Sequence, residues 1–350
     1  MSPKKFLIFY QDLGGSRLLD CIIDQSRDII NSSNSCFMIH KQSSLLKDTL
    51  INRYKLNQVP TVVSKFKVKD WYQLLKSKKI THVICSLSSK NLDMSNANLI
   101  QASRELALPS LGFMDHWKGF DRLYDKQGDL KFSPTTLGVI DDYSKNKAAL
   151  LGLNKSNILI AGNPLLEELE KSFNKQRTEI KSATFISQPD NINGSYKSLF
   201  TLPVFKNKSL IDYINNVLAF KEFQIFLRPH PKELSMKSNK IKIDNSSRES
   251  LLEKHSLSIG INSIMLLESF LSGNPVIKIK FDEFSQYEGE PIPIDFGKLV
   301  FSLDELKIEM FKVFSGNFDR NSTKLFEGSM KASQEIIHRF TSNNNSEIIP

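Results

Sequence analysis

Short β-forming runs alternate with helix-length amphipathic stretches along nearly the whole chain, and no other feature restricts its fold as much. Lys5–Tyr10, Ser35–Ile39, Val59–Val63, Thr81–Ser86, Ser110–Met114, Leu137–Ile140 and Asn157–Ile160 read as strands. Helical periodicity fills the gaps at Ser16–Ile30, Asp70–Lys78, Asn91–Leu106 and Asp142–Leu151. Such alternation implies right-handed crossovers and a parallel sheet. The pattern restarts after a polar, helix-like stretch at Glu167–Lys181. Strands are then expected at Ala183–Ser187, Phe223–Leu227, Leu257–Gly260 and Val276–Ile279. Helices are expected at Ser209–Phe220, Ile264–Leu271, Ser302–Phe314 and Ser322–Phe340.

The expected fold class is therefore α/β, with two doubly wound Rossmann-like domains facing a central cleft. A chain of 350 residues exceeds the size at which one core keeps growing, so a division into residues 1–165 and 166–350 follows, with the last helix free to cross back. Open parallel sheets bind ligands beyond the carboxyl ends of their strands, which is where chemistry is sought below.

The net charge of +9 favours anionic partners: a nucleotide, a phospholipid surface or nucleic acid. Lys-rich and Asn-rich usage also arises from an A/T-rich genome, so charge alone decides little. A nucleic-acid role needs a recognised motif fold, and none is found. Cys21, Cys36 and Cys85 sit in apolar patterns without ligand spacing, which favours reduced thiols and a cytoplasmic address. No apolar run approaches the ~20 residues of a spanning helix. Phe6–Tyr10 reads as a first strand, since a signal-peptide core is longer.

The most informative segment is Phe226-Leu227-Arg228-Pro229-His230-Pro231. Its prolines forbid a helix and hold the chain extended as it leaves a strand. Residues two apart in extended backbone point the same way, so Arg228 and His230 are expected to share a face suited to a phosphate. A second segment runs from Ile259-Gly260-Ile261-Asn262-Ser263 into the apolar helix Ile264–Leu271. Asn262 or Ser263 can cap that helix, whose first N–H groups form an anion site. Glu268 is its lone acid, and a carboxylate there needs a partner. Ribose hydroxyls or an internal Arg or Lys both qualify.

These segments resemble motifs of GT-B glycosyltransferases. Arg228–Pro231 is similar to their His-Pro motif, and Asn262–Glu268 with Gly273-Asn274-Pro275-Val276 to their Ser-containing donor motif. The related families are capsule-type sugar transferases, bacterial sialyl- and polysialyltransferases and glycerol-phosphate polymerases. Gly138–Pro164 resembles the passage into their interdomain region, and Thr184–Pro189, with Ser187, the first strand and loop of their donor domain. The resemblance spans mainly residues 137–280. It implies a nucleotide-sugar bound by the C-terminal domain, with His230 on the donor phosphate and Ser263 nearby, and an acceptor on the N-terminal domain.

In the N-terminal half, Asp12-Leu13-Gly14-Gly15-Ser16 follows the first strand. Gly14 and Gly15 let the backbone approach an acceptor, while Ser16 can cap the helix. No complete G-x-G-x-x-G is present, so a dinucleotide fingerprint is unsupported. Asp115, His116 and Trp117 end the strand at Ser110–Met114. Asp115 is the expected catalytic base, and Trp117 can stack on a sugar face beside His116. Asp141-Asp142 reads as a helix cap rather than a metal site, and no metal or other cofactor is expected. Lys65–Lys79 holds six lysines among Phe66, Trp71 and Tyr72. It reads as a solvated face or as a peripheral contact with anionic membrane.

The resulting expectation is a metal-independent glycosyltransferase in surface polysaccharide synthesis, acting from a nucleotide-sugar on a glycan or lipid-linked acceptor. The His-Pro resemblance leans toward a CMP-linked acidic sugar of the sialic acid or Kdo type. In this reading Asp115 takes the acceptor proton while Arg228, His230 and the helix start at Ser263 stabilise the departing phosphate. Two rivals stand beside it: a UDP-N-acetylglucosamine 2-epimerase or nucleotide-sugar hydrolase of the same fold, against which Asp115-His116-Trp117 stands where a His-Glu-Ala-Gly segment is expected after Ser110–Met114, and a non-catalytic partner that binds sugar-nucleotides or lipids in a polysaccharide assembly complex.

Overall fold

The structure is a computed structural model; it describes residues 3–56, 59–90, 93–172, 182–192, 195–201, 208–217, 224–230, 233, 241–254, 257–287, 292–318 and 324–342. Pro231 and His255 lie outside the described residues, as do 173–181, 218–220 and 322–323 of the expected helices. The chain forms two compact units, one running to Glu167 and resuming at Leu325, the other covering Glu168–Lys324.

The first unit alternates β1 (Phe6–Tyr10), α1 (Leu13–Asp24), β2 (Ser35–His40), α2 (Lys47–Tyr54), β3 (Thr61–Val63), α3 (Val68–Ser77), β4 (His82–Ser86) and α4 (Ser95–Glu105). It continues through β5 (Ser110–Phe113), β6 (Thr136–Val139), α5 (Asp142–Leu150), β7 (Ile158–Ile160) and α6 (Pro164–Lys171). The strands form one parallel sheet in the order β3-β2-β1-β4-β5-β6-β7. Every residue of β1 is buried, as a central parallel strand covered on both faces requires. Leu7 and Phe9 pack with Trp71, Leu75 and Val83 on one face. Phe6, Ile8 and Tyr10 pack with Leu18, Ile22 and Ile84 on the other. Strand order reverses between β1 and β4, so the loops after them part and leave a crevice, the usual ligand position in such sheets.

The second unit repeats the plan with β8 (Ser182–Ile186), β9 (Pro189–Ile192), β10 (Ser195–Ser198), α7 (Leu210–Val217), β11 (Gln224–Arg228), β12 (Lys242–Ile243) and α8 (Arg248–Lys254). β13 (Leu257–Gly260), α9 (Ile264–Leu271), β14 (Val276–Ile279), β15 (Lys298–Val300) and α10 (Leu303–Phe314) complete it. Its parallel sheet runs β12-β11-β8-β13-β14-β15, with β9 and β10 as a separate antiparallel pair. Phe185, Leu227, Ile259, Ile277 and Ile279 share one core with Leu306 and Met310 of α10. The order reverses at β8 and β13, which again marks a crevice.

The last helix, α11 (Ser329–Ser342), returns to the first unit, where Ile336, Ile337 and Phe340 enter the core beside Phe6 and Ile8. Its start is held by Glu167, whose carboxylate accepts from the backbone N–H of Gly328 at 3.2 Å and of Met330 at 2.6 Å. A close approach at Gly162 fixes the same corner. Its φ is +68°, and a Cβ there would lie 2.5 Å from Ser329 Cβ.

Candidate functional site

In the first unit, candidate residues gather where β1, β4 and β5 end. Asp12 is the N-cap of α1: it keeps extended backbone, and its Oδ1 accepts from Gly15 N–H at 2.8 Å. Sequence reasoning assigns the cap to Ser16, whose Oγ instead lies 3.0 Å from Ser43 Oγ in the interior. The other oxygen of Asp12 accepts from Ser88, just beyond β4. Asp115, beyond β5, accepts from Arg122 Nη1 at 2.9 Å, and the same nitrogen donates to the Leu87 carbonyl at 2.6 Å.

Gly14 is exposed between the two acids. A Cβ built there would lie 3.4 Å from Asp115 Oδ2 and 3.7 Å from Asp12 Oδ1. Both carboxylates thus approach one open point above the start of α1. Burial is the main cause that raises the pKa of Asp12, followed by the charge of Asp115, against lowering by Ser88, Gly15 and Arg122. One carboxyl therefore retains its proton to higher pH than an ordinary aspartate, while Arg122 balances the charge of its neighbour. Two carboxyls held in unlike environments suit paired acid and base roles.

Beneath this floor, a buried polar lattice fixes the loops. Gln11 donates to the Asp93 carbonyl at 3.0 Å and accepts from Asn96 N–H at 2.7 Å. His40 Nε2 lies 2.9 Å from Asp93 Oδ2, which also accepts from Lys65 N–H at 2.8 Å. Burial pushes the Asp93 carboxyl up, but hydrogen bonds from Ser95, His40 and Lys65 outweigh it and hold the pKa at about 2. The loops following β1, β2, β3 and β4 are tied together in this way.

Two sequence assignments in this unit need correction. Trp117 is not a sugar platform: it is 0% exposed, packs near Phe326, and donates from Nε1 to Asp141 Oδ2 at 2.6 Å. Gly15 does not face an acceptor. It is buried, and a Cβ would meet Ser86 Cβ at 2.9 Å, so close packing of α1 on β4 explains the glycine. His116, half-buried, accepts the Lys118 N–H at Nδ1 at 3.2 Å and meets the Trp117 ring in a T-shaped contact. Asp141 caps α5 by accepting from Ser144 N–H, the role expected for the Asp141-Asp142 pair.

In the second unit, Arg228, Ile186 and Gly260 end adjacent strands at one sheet edge. Strands β11 and β13 flank β8, so the segments leaving them are about 10 Å apart, two strand spacings, with Ser187 between. Ser187 Oγ lies 2.6 Å from Ser198 Oγ and 2.9 Å from Glu233 Oε1. The other oxygen of Glu233 accepts from His230 N–H at 3.0 Å. Glu233 is 2% exposed, and burial raises its carboxyl pKa against these hydrogen bonds. This acid, which sequence reasoning missed, fixes the turn that carries His230. Pro231 lies outside the described residues.

Two further assignments change. Arg228 is turned toward the sheet margin, where Nη1 donates to the Asp244 carbonyl at 3.1 Å and to the Ser246 carbonyl. It braces the β12 loop instead of sharing a phosphate face with His230. For Glu268 the internal alternative applies: Arg248 Nε donates to its Oε2 at 2.8 Å, and both side chains are largely buried. Ser263 is the cap of α9, accepting from Met265 N–H at 3.3 Å, and Asn262 sits half-buried beside it. Lys278, level with Gly260 on β14, is half-buried, places Nζ 4.4 Å from the Phe296 ring centroid, and has its pKa lowered chiefly by burial.

The sequence matches no known family description and no curated protein. Solved structures do match. UDP-GlcNAc 2-epimerase from Methanocaldococcus jannaschii, in complex with UDP-GlcNAc and UDP, is 14% identical with a TM-score of 0.65, covering 97% of this chain and 100% of its own. The Neisseria meningitidis UDP-GlcNAc 2-epimerase bound to UDP-GlcNAc is 11% identical with a TM-score of 0.61, at coverages of 97% and 100%. The lipopolysaccharide outer core galactosyltransferase WaaB is 12% identical with a TM-score of 0.52, at coverages of 96% and 99%. At these identities the likeness is one of fold: two parallel-sheet, Rossmann-like α/β units of the GT-B type. Among the described residues, no helix is long and apolar enough to cross a membrane.

Proposed function

We propose that the chain is an enzyme acting on a UDP-linked N-acetylamino sugar, and that it inverts carbon 2 of that sugar without a second substrate. The observation that carries this reading is the convergence of Asp12 and Asp115 on the open point at Gly14, with the pKa of Asp12 raised. Inversion at a carbon requires a base to remove its proton and an acid to return one. Carbon 2 of a hexosamine has no adjacent carbonyl to acidify its proton. Loss of the proton is therefore assisted by departure of the nucleoside diphosphate from carbon 1. In this scheme Asp115 takes the proton from carbon 2 as the carbon 1–oxygen bond breaks, leaving a carbon 1–carbon 2 double bond and free diphosphate; Asp12 then protonates carbon 2 from the other face as a diphosphate oxygen re-forms the bond to carbon 1. Within the second unit, His230 and the capped start of α9 at Ser263 offer anion-binding groups of their own. Ser187 and Glu233 support the turn that carries His230, and no metal is required by these steps. The fold likeness to two enzymes whose names specify this reaction supports the same reading.

Glycosyl transfer keeps the support of the likeness to WaaB, and it needs only one base. It loses the acceptor platform that Trp117 and Gly15 were expected to provide, because both are buried. A CMP-linked acidic donor has no support from the two epimerase structures, whose names specify UDP compounds. Incubation with UDP-N-acetylglucosamine alone separates the readings. A second UDP-hexosamine in the proton NMR spectrum, with deuterium at carbon 2 in heavy water, is expected. Release of free UDP alone would point to a hydrolase, and unchanged substrate in the absence of an acceptor would overturn the epimerase reading.

A further inference from the structure

The charge of the chain is concentrated in one place. Residues 41–79 contain ten Lys or Arg and two Asp, a net +8 of the +9 carried by all 350 residues. In the fold this stretch wraps the free edge of the first sheet, since β3 is the outermost strand. On one side of the edge lies the 3-10 turn Lys41–Leu46 leading into α2, and on the other lies α3.

Apolar side chains break the surface among these cations. Val62 pairs in register with the core residue Ile39 yet is 47% exposed. Leu45, on the 3-10 turn packed against β3, is 80% exposed, and Val59, just before β3, is 59% exposed. Lys41 and Lys55 are exposed on the same stretch. Around the edge, α3 buries Trp71 and Leu75 and turns Lys69 and Lys76 outward, and Lys65, just before the helix, is exposed as well. Lys65 has a left-handed φ of +54°, anchored by its N–H on Asp93, so its presentation is built into the loop.

From this arrangement we infer that the β3 edge, through Leu45, Val59, Val62, Lys65, Lys69 and Lys76, docks on a lipid surface rich in anionic headgroups. Cations alone would serve any polyanion. The exposed aliphatic groups favour lipid, because they gain from contact with acyl carbon and nothing from a phosphate backbone in water. Base stacking needs exposed rings, whereas Trp71 is buried and Phe66 and Tyr72 are half-buried. The inference does not depend on the reaction proposed above.

The test is co-sedimentation of the full chain with phosphatidylcholine vesicles, with and without phosphatidylglycerol, at low and high salt. Binding is expected only with phosphatidylglycerol and is weakened by salt. The triple variant Lys65→Gln, Lys69→Gln, Lys76→Gln should lower partitioning by about 100-fold, from the contribution of each Lys near an anionic surface. Leu45→Ser with Val62→Thr should lower it by about tenfold at unchanged salt dependence, as expected for lost apolar contact. Unaltered melting temperatures of both variants are the folding control, since all five positions are exposed. Equal binding to both vesicle types would overturn the inference. So would vesicle binding indifferent to Leu45 and Val62, with single-stranded RNA held through the same lysines.

Discussion

Gly14 and Gly15 are neighbours in the chain and opposites in environment, so an alanine at each separates site chemistry from packing. Neither has a left-handed φ, and both belong to the first turn of α1. At Gly14 the new methyl would make ordinary contact, 3.4 Å from Asp115 Oδ2 and 3.7 Å from Asp12 Oδ1, in exposed space. Alanine is favoured over glycine in a helix by about 1 kcal/mol, less in the first turn. The Gly14→Ala melting temperature should therefore stay level or rise by up to about 3 °C. At Gly15 the methyl would lie 2.9 Å from Ser86 Cβ and 3.0 Å from Ser86 Oγ, on a buried strand end. Overpacking of this kind costs about 1–3 kcal/mol, which the helix preference offsets only in part. A fall of about 3–6 °C follows for Gly15→Ala. Activity should separate the other way, because the Gly14 methyl fills the point that a reacting C–H must enter to reach both acids. Misplacement of that atom by an ångström costs about 100-fold in turnover. Thermal unfolding and turnover of UDP-N-acetylglucosamine measure the two effects. Full activity in Gly14→Ala, or equal losses of stability in both variants, would refute the placement of chemistry at this point.

Asp12→Asn tests the raised carboxyl. Asn caps as well as Asp, and the raised folded pKa means that ionising Asp12 costs stability increasingly as pH climbs above the ordinary value of about 4. The variant should thus gain in melting temperature relative to the parent as pH rises above about 4, the gap levelling off once Asp12 has ionised, while losing turnover; a gap that narrows as pH rises contradicts the assignment. Glu233→Ala removes the side-chain acceptor of His230 N–H and leaves Ser187 Oγ with Ser198 alone, at about 1–3 kcal/mol, and should weaken UDP binding by about tenfold, read by calorimetry, with Glu233→Gln milder. Glu167→Ala leaves the N–H groups of Gly328 and Met330 without their acceptor, so hydrogen exchange along α11 should speed up by about tenfold or more while that of β8 is unchanged.

Strand and helix order could be read from the sequence by itself, because periodicity is a local property. Leu257–Gly260, Ile264–Leu271 and Val276–Ile279 match the structure residue for residue. Each is a mostly apolar run with a Gly, Pro, Ser or Asn at or beside at least one end, where burial and turn chemistry agree. Elements that escaped the reading include α2, largely polar on its surface, the polar α8, the β9–β10 pair, and β12 and β15, short margins of the sheet. The two candidate loci were also legible, since strand ends in parallel sheets are where ligands bind.

Which side chain faces which was decided by tertiary structure alone. Trp117 at a strand end looks the same in sequence whether it meets a sugar or Asp141; the path of β6 into α5 brings that acceptor to it. Glu268 could await a ribose or an internal cation, and the crossover through α8 supplies Arg248. Asp12 and Asp115 are a hundred residues apart in the chain, and only the order β1-β4-β5 carries both to Gly14. Propensity and hydrophobic period act over a few residues, whereas the charge state and partner of a polar group depend on strands that the chain reaches much later.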